Sequence, residues 1–172
     1  MEEKIKIYEM NNSFYSNSSL AIALNQKSGF GELSNGKVVY SLYEVLYLIE
    51  TKKAEVISNI SKSTVQDLIR KYLKKHKNLM KKYLVFRDLR EKGYILKEGL
   101  KFGADFRCYE KGQKPGKEHA KYLILIPTQD KMNTKEFCSS ARVANSTNKI
   151  LLIALIDSEE DITYFEINWK RA

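Results

Sequence analysis

The 172 residues are 43% hydrophobic, enough for a real core, and only 8 glycines and 2 prolines leave little room for low-complexity linkers. No apolar run approaches the roughly 18–20 residues of a membrane span, and the N-terminal MEEKIKIYEM lacks a secretory apolar region, so a soluble, unprocessed, cytoplasmic chain is expected. The net charge of +9 is localised: residues 1–62 hold 7 basic and 7 acidic side chains, residues 63–172 hold 23 and 14. An excess confined to one part suggests a polyanionic partner, because Lys and Arg contacts to phosphate release condensed counterions.

In chain order, Lys4–Tyr8 alternates with period two and reads as a strand, and the Asn/Ser-rich 11–19 reads as a loop. Gly29, Gly31 and Gly36 punctuate short strands, the last being Lys37–Tyr40. Ser41-Leu-Tyr-Glu44 is a capping-box pattern opening a helix with Leu42, Val45, Leu46 and Ile49 on one face. Ala54–Ile57 follows as a strand, and this first module extends to about Ile60. Ser63-Thr-Val-Gln66 offers a second cap for an amphipathic helix through Val65, Leu68, Ile69, Tyr72 and Leu73. The basic run Lys74–Lys82, which contains His76, marks a junction, giving domains 1–77 and 78–172. A new helix runs from about Asn78 to Lys92 and ends at Gly93.

Beyond Gly93 the expected order is strand Tyr94–Leu96, strand Phe102–Tyr109, strand His119–Pro127, helix Thr134–Ser146, strand Lys149–Ile156 and strand Ile162–Trp169. The run KILLIALI implies a strand buried on both faces. The fold class is mixed α/β (α+β): a small N-terminal α/β domain, then a mixed sheet with flanking helices.

An antiparallel hairpin of 102–109 with 119–127 sets Tyr109 facing His119 across its loop end. The helix-linked return to 149–156 is a β-α-β crossover, expected to be parallel, so Lys149 begins where His119 begins. Parity puts Asp105, Arg107 and Tyr109 on one face and turns Tyr109 to the polar side rather than the core. The intervening loop adds Lys111, Lys114 and Lys117, with Gly112 and Gly116 permitting close backbone approach to a ligand. A phenol, an imidazole and an ammonium on one edge suit in-line transesterification of RNA, which supplies its own 2′-hydroxyl nucleophile. Cys108 and Cys138 lack ligand spacing and read as two buried thiols. Two Cys and two scattered His do not make the four ligands zinc needs, so no metal and no cofactor is expected.

YLVFRDLREKGYILKEGLKFGADFRCYEKG, KEHAKYLILI, SSARVANSTNKILLIALID and a closing strand ending at Trp169 together resemble the archaeal tRNA-splicing (tRNA-intron) endonucleases, in their short-subunit form. The likeness is strong over residues 80–172 and looser over the N-terminal module, where SLYEVLYLIE resembles the family's second helix. The resemblance implies a restriction-endonuclease-like C-terminal catalytic domain, with Tyr109 as general base, His119 as general acid and Lys149 as the cation that stabilises the transition state. It likewise implies that Arg142 stacks on a flipped-out bulge base, with Trp169 as its aromatic partner. The implied substrate is the bulge-helix-bulge of precursor tRNA, cut without a metal to 2′,3′-cyclic phosphate and 5′-hydroxyl ends. Asp157, Glu159, Glu160 and Asp161 match the acidic loop that docks into another subunit, implying a homotetramer, or a heterotetramer with a second endonuclease subunit.

Two other readings stay open. A metal-dependent nuclease on the same core needs an acidic residue and an (Asp/Glu)-x-Lys triplet; Asp105 is available, but Glu118-His-Ala-Lys121 has one residue too many. A non-catalytic RNA-binding or assembly subunit would have no need of Tyr109, His119 and Lys149 together.

Overall fold

The computed structural model describes residues 3–57, 62–76, 78–127 and 132–170. The expected module end at Ile60 and Lys77 of the basic run lie outside them. The chain divides into two compact units, Met1–Leu79 and Met80–Ala172.

The first unit runs β1 (Ile5–Met10), β2 (Ser13–Ser16), α1 (Ser19–Ser28), β3 (Glu32–Ser34), β4 (Lys37–Tyr40), α2 (Leu42–Glu50), β5 (Ala54–Ile57), β6 (Lys62–Ser63) and α3 (Val65–Leu73). Its sheet has the order β3-β4-β2-β1-β5-β6, antiparallel except between β1 and β5. The stretch expected as a loop at 11–19 instead holds β2 and the start of α1. Asn11 and Asn12 both take positive φ (51° and 61°), the conformation of a tight hairpin turn that asparagine tolerates. Ser18 then caps α1 by accepting from Ala21 N at 3.2 Å. Of α1 only Ala21 is buried, so no apolar stripe announces the helix.

The Ser41/Glu44 capping box forms as expected. Glu44 is only 3% exposed, and its carboxylate also accepts from Gly31 N at 2.8 Å, tying the cap of α2 to the preceding loop. Gly31 sits at φ +68°, where an added Cβ would lie 2.3 Å from Val38 Cγ1 and 2.8 Å from Val39 O. Gly31→Ala is therefore expected to destabilise the chain by about 2–5 kcal/mol, from the left-handed backbone and overpacking together; urea unfolding measures it. α3 is capped one residue later than expected. Thr64 Oγ1 accepts from Asp67 N, and Asp67 returns the bond to Thr64 N at 3.0 Å, so Asp67 does what Gln66 was expected to do. Tyr72 of α3 is buried, donates to Glu9 at 2.6 Å and packs beside His76, whose ring is 5.8 Å away. His76 itself is exposed.

The second unit comprises α4 (Leu79–Glu91, its first residue at the unit boundary), β7 (Ile95–Glu98), β8 (Phe106–Tyr109), β9 (Tyr122–Leu125), α5 (Thr134–Ser146), β10 (Ile150–Ile156) and β11 (Ile162–Ile167). The sheet order is β11-β10-β9-β8-β7, with β9 and β10 parallel and the other pairs antiparallel. α5 has the expected bounds and packs Ala141 and Ala144 on Leu123, Leu125, Leu151 and Ile153. That cover stops short. Leu155 and Phe165 are 45% and 48% exposed, so the far end of β10 is not buried on both faces as expected. A groove of about 680 Å³ beside them is lined by Ile126, Met132, Ile153, Leu155, Phe165 and Ile167, among others. α4 is tied to β11 by Tyr164, which donates to Asp88 at 2.7 Å. Of the two thiols, Cys108 is buried and pushed up to about 12 by burial, whereas Cys138 is exposed on α5, contrary to the expected burial of both. Among the described residues no helix is long and apolar enough to cross a membrane.

Candidate functional site

The strand expected from Phe102 is shorter. Leu100–Phe102 is a 3-10 turn closed by Gly103 at φ 64°, and Asp105 N joins Ile124 O before β8 proper begins at Phe106. The turn positions the Phe102 ring beneath the ammonium of Lys149, 5.1 Å from the ring centroid. Lys149 Nζ also donates to Thr147 O at 2.9 Å, so the cation is held at the junction of α5 and β10.

Register decides which side chains share the edge. The antiparallel ladder pairs Cys108 with Tyr122, and Lys121 N donates to Cys108 O at 3.0 Å. Tyr109 therefore faces Lys121, not His119, which lies two residues further out on the loop and is exposed. The expected direct opposition is corrected by that two-residue shift, because the ladder pairs Cys108 with Tyr122 and so leaves His119 in the loop. The parallel ladder pairs Ile150 with Tyr122, and Ile150 N donates to Lys121 O at 2.9 Å, which brings Lys149 level with Lys121. The segments carrying Tyr109, His119 and Lys149 thus meet at one edge, with Lys121 between them.

Tyr109 differs most from expectation. It is 3% exposed and packs with Ile95 and Ala120, not on a polar, open side. Parity did place it with Asp105 and Arg107, but its neighbours across the sheet cover it: Ile95 is its ladder partner on β7.

The loop between β8 and β9 is folded by its own polar groups. Glu110 N donates to Gln113 Oε1 at 3.0 Å and Lys114 N to Glu118 Oε2 at 2.5 Å. Gly112 and Gly116 take φ of 83° and 90°. Lys111, Lys114 and Lys117 are exposed, with Lys111 Nζ 5.6 Å from the Tyr94 ring centroid. Lys121 Nζ pairs with the Glu110 carboxylate, which raises the ammonium above its usual range. Sequence reasoning missed Lys121, Glu110 and the Phe102 platform as parts of this edge. The alternation of residues 119 and 121 at the mouth of the strand was the available signal for Lys121.

Arg142, on α5, and Trp169, beyond β11, are both exposed. Asp157–Asp161 forms the β10–β11 turn. The Asp157 carboxylate accepts from Glu159 N and Asp161 N, each at 2.9 Å, and Glu159, Glu160 and Asp161 are exposed. Asp105 is engaged away from this edge, with Lys82 Nζ at 2.6 Å and Ile126 N at 2.7 Å.

Residues 79–164 match the family model described as tRNA intron endonuclease, catalytic C-terminal domain. The chain is 41% identical to the tRNA-splicing endonuclease of Methanothermobacter thermautotrophicus over 154 residues, 89% of each chain. It is 36% identical to that of Thermococcus gammatolerans over 86% of this chain and 87% of the relative, and 32% identical to that of Pyrococcus furiosus over 99% of both. A matching catalytic domain and near full-length likeness give one result: the chain is an endonuclease of the tRNA-splicing family.

Proposed function

We propose that this chain cleaves precursor tRNA at bulge-helix-bulge junctions by metal-independent transesterification. In this reading Tyr109 takes the 2′-hydroxyl proton, the 2′-oxygen attacks phosphorus, the P–O5′ bond breaks and His119 protonates the departing 5′-oxygen. Lys149 offsets the extra negative charge of the phosphorane. The observation that supports this best is the pair of ladders through Lys121, antiparallel to β8 and parallel to β10, which gathers the three segments at one edge beside a lysine-bearing loop. An ordinary phenol titrates near ~10, so a base role for Tyr109 relies on the cations of its edge to stabilise the phenolate. Exposed Arg142 and Trp169 suit the clamping of an extruded base by stacking, and Lys111, Lys114 and Lys117 suit backbone phosphates.

The exposed apolar Leu155 and Phe165 and the acidic turn Asp157–Asp161 support assembly into a homotetramer. Purified chain should cut precursor tRNA at both junctions in excess EDTA, leaving 2′,3′-cyclic phosphate and 5′-hydroxyl ends. Light scattering should give four times the chain mass. Loss of cleavage in EDTA, or 5′-phosphate products, would overturn the mechanism. A chain that cuts only after a second endonuclease subunit is added would establish the heterotetramer, and one that binds RNA but never cuts would make it an assembly subunit.

A further inference from the structure

Lys121 occupies the point where the three segments of the edge are joined. Its N–H donates to Cys108 O, beside Tyr109, and its carbonyl accepts from Ile150 N, beside Lys149. Its side chain then returns to Glu110, the residue after Tyr109, closing the neck of the loop. At the other end Glu118 is fixed by Lys114 N and by a β-bridge with Pro115. Between these anchors stand His119, exposed, and Ala120, 4% exposed and packed with Tyr109 and Ile95. His119 thus has little hold of its own, and its place depends on what holds its neighbours.

The ion pair is poorly suited to a stabilising role. Lys121 and Glu110 are 41% and 42% exposed, and exposed pairs contribute little to global stability. What the pair does is geometric: it joins the strand end that carries Tyr109 to the strand start that follows His119. We propose that the Glu110–Lys121 ion pair is a positioning clasp, which fixes His119 relative to Tyr109 and Lys149. The proposal rests on the roles given to those three residues above. Lys121 and Glu110 act through the loop, not on the substrate.

The test uses the full chain with Glu110→Gln, Lys121→Met, and the exchanged double variant Glu110→Lys with Lys121→Glu. The chain has 2 histidines, so the His119 imidazole resonances can be followed by NMR with His76 as an internal reference. In each single variant the His119 signals should shift and broaden while those of His76 stay in place and the melting temperature is unchanged. The single-turnover cleavage rate should fall about 10–100-fold, the effect of misplacing a reacting group by about 1 Å, with KM within about threefold. The exchanged variant should restore a sharp His119 signal and bring the rate to within about fivefold of wild type.

Unchanged His119 resonances in the single variants would overturn the proposal. So would a rate that the exchange does not restore, which would make Lys121 a cation acting on the substrate itself. If wild-type chain does not cleave at all while the His119 signals still follow the pair, the clasp stands and the assigned reaction fails.

Discussion

Replacing His119 by alanine is expected to slow precursor cleavage by about 10²–10⁴-fold, the contribution of a positioned general acid. RNA binding should change little. The side chain is exposed on the β8–β9 loop, so its removal leaves no cavity, and stability should stay within about 0.5 kcal/mol of wild type. Single-turnover rates separate the two effects, with binding measured independently by filter retention. A sharper form uses a substrate whose 5′-leaving oxygen is replaced by sulfur. A thiolate departs without protonation, so the alanine variant should cleave that substrate at close to the wild-type rate. An alanine variant that cuts the ordinary substrate at wild-type rate would remove His119 from the mechanism.

Lys149→Met should lower the same rate by about 10²–10³-fold, the magnitude found when one preorganised charge or donor facing a transition state is lost. The methionine keeps an unbranched chain over the Phe102 ring but carries no charge. What is lost locally is a cation–π contact and one hydrogen bond to Thr147 O, about 1–2 kcal/mol of stability. A rate loss far exceeding what modest destabilisation can produce, in a variant that remains folded by circular dichroism, assigns the effect to the charge. A variant within threefold of wild type would show that another cation, with Lys121 the nearest candidate along the edge, carries that charge instead.

The elements legible from sequence were those whose signal is local. Ser41 and Glu44 announce α2 by themselves, the stripe of Phe137, Ala141 and Ala144 gives α5 its bounds, and KILLIALI can hardly be anything but an inner strand. The gathering of three distant segments at one edge followed from topology, since a β-α-β return fixes which ends of β9 and β10 coincide. What could not be read depends on partners outside the segment. The burial of Tyr109 comes from Ile95 and Ala120, which parity along β8 does not see. Facing His119 across the hairpin required knowing where β9 begins, and a two-residue shift moves every opposition along it. α1 escaped notice because its sequence, SLAIALNQKS, spreads apolar residues around the helix instead of along one face. The exposure of Cys138 belongs to the outer side of α5, a matter of which face meets the sheet.

If the turn at Asp157 docks into another subunit, as proposed above, its ordered shape has a kinetic consequence. One of its carboxylates, Asp157, holds two backbone amides of the same turn, and the other three stand on a shape already set. A flexible acidic segment would have to lose conformational entropy on docking, whereas this turn arrives ordered and loses little. In that case its charge would act chiefly before contact, by drawing a basic surface toward it over a Debye length of about 8–10 Å. Association through this turn should slow steeply as salt rises, while dissociation of the formed contact changes far less.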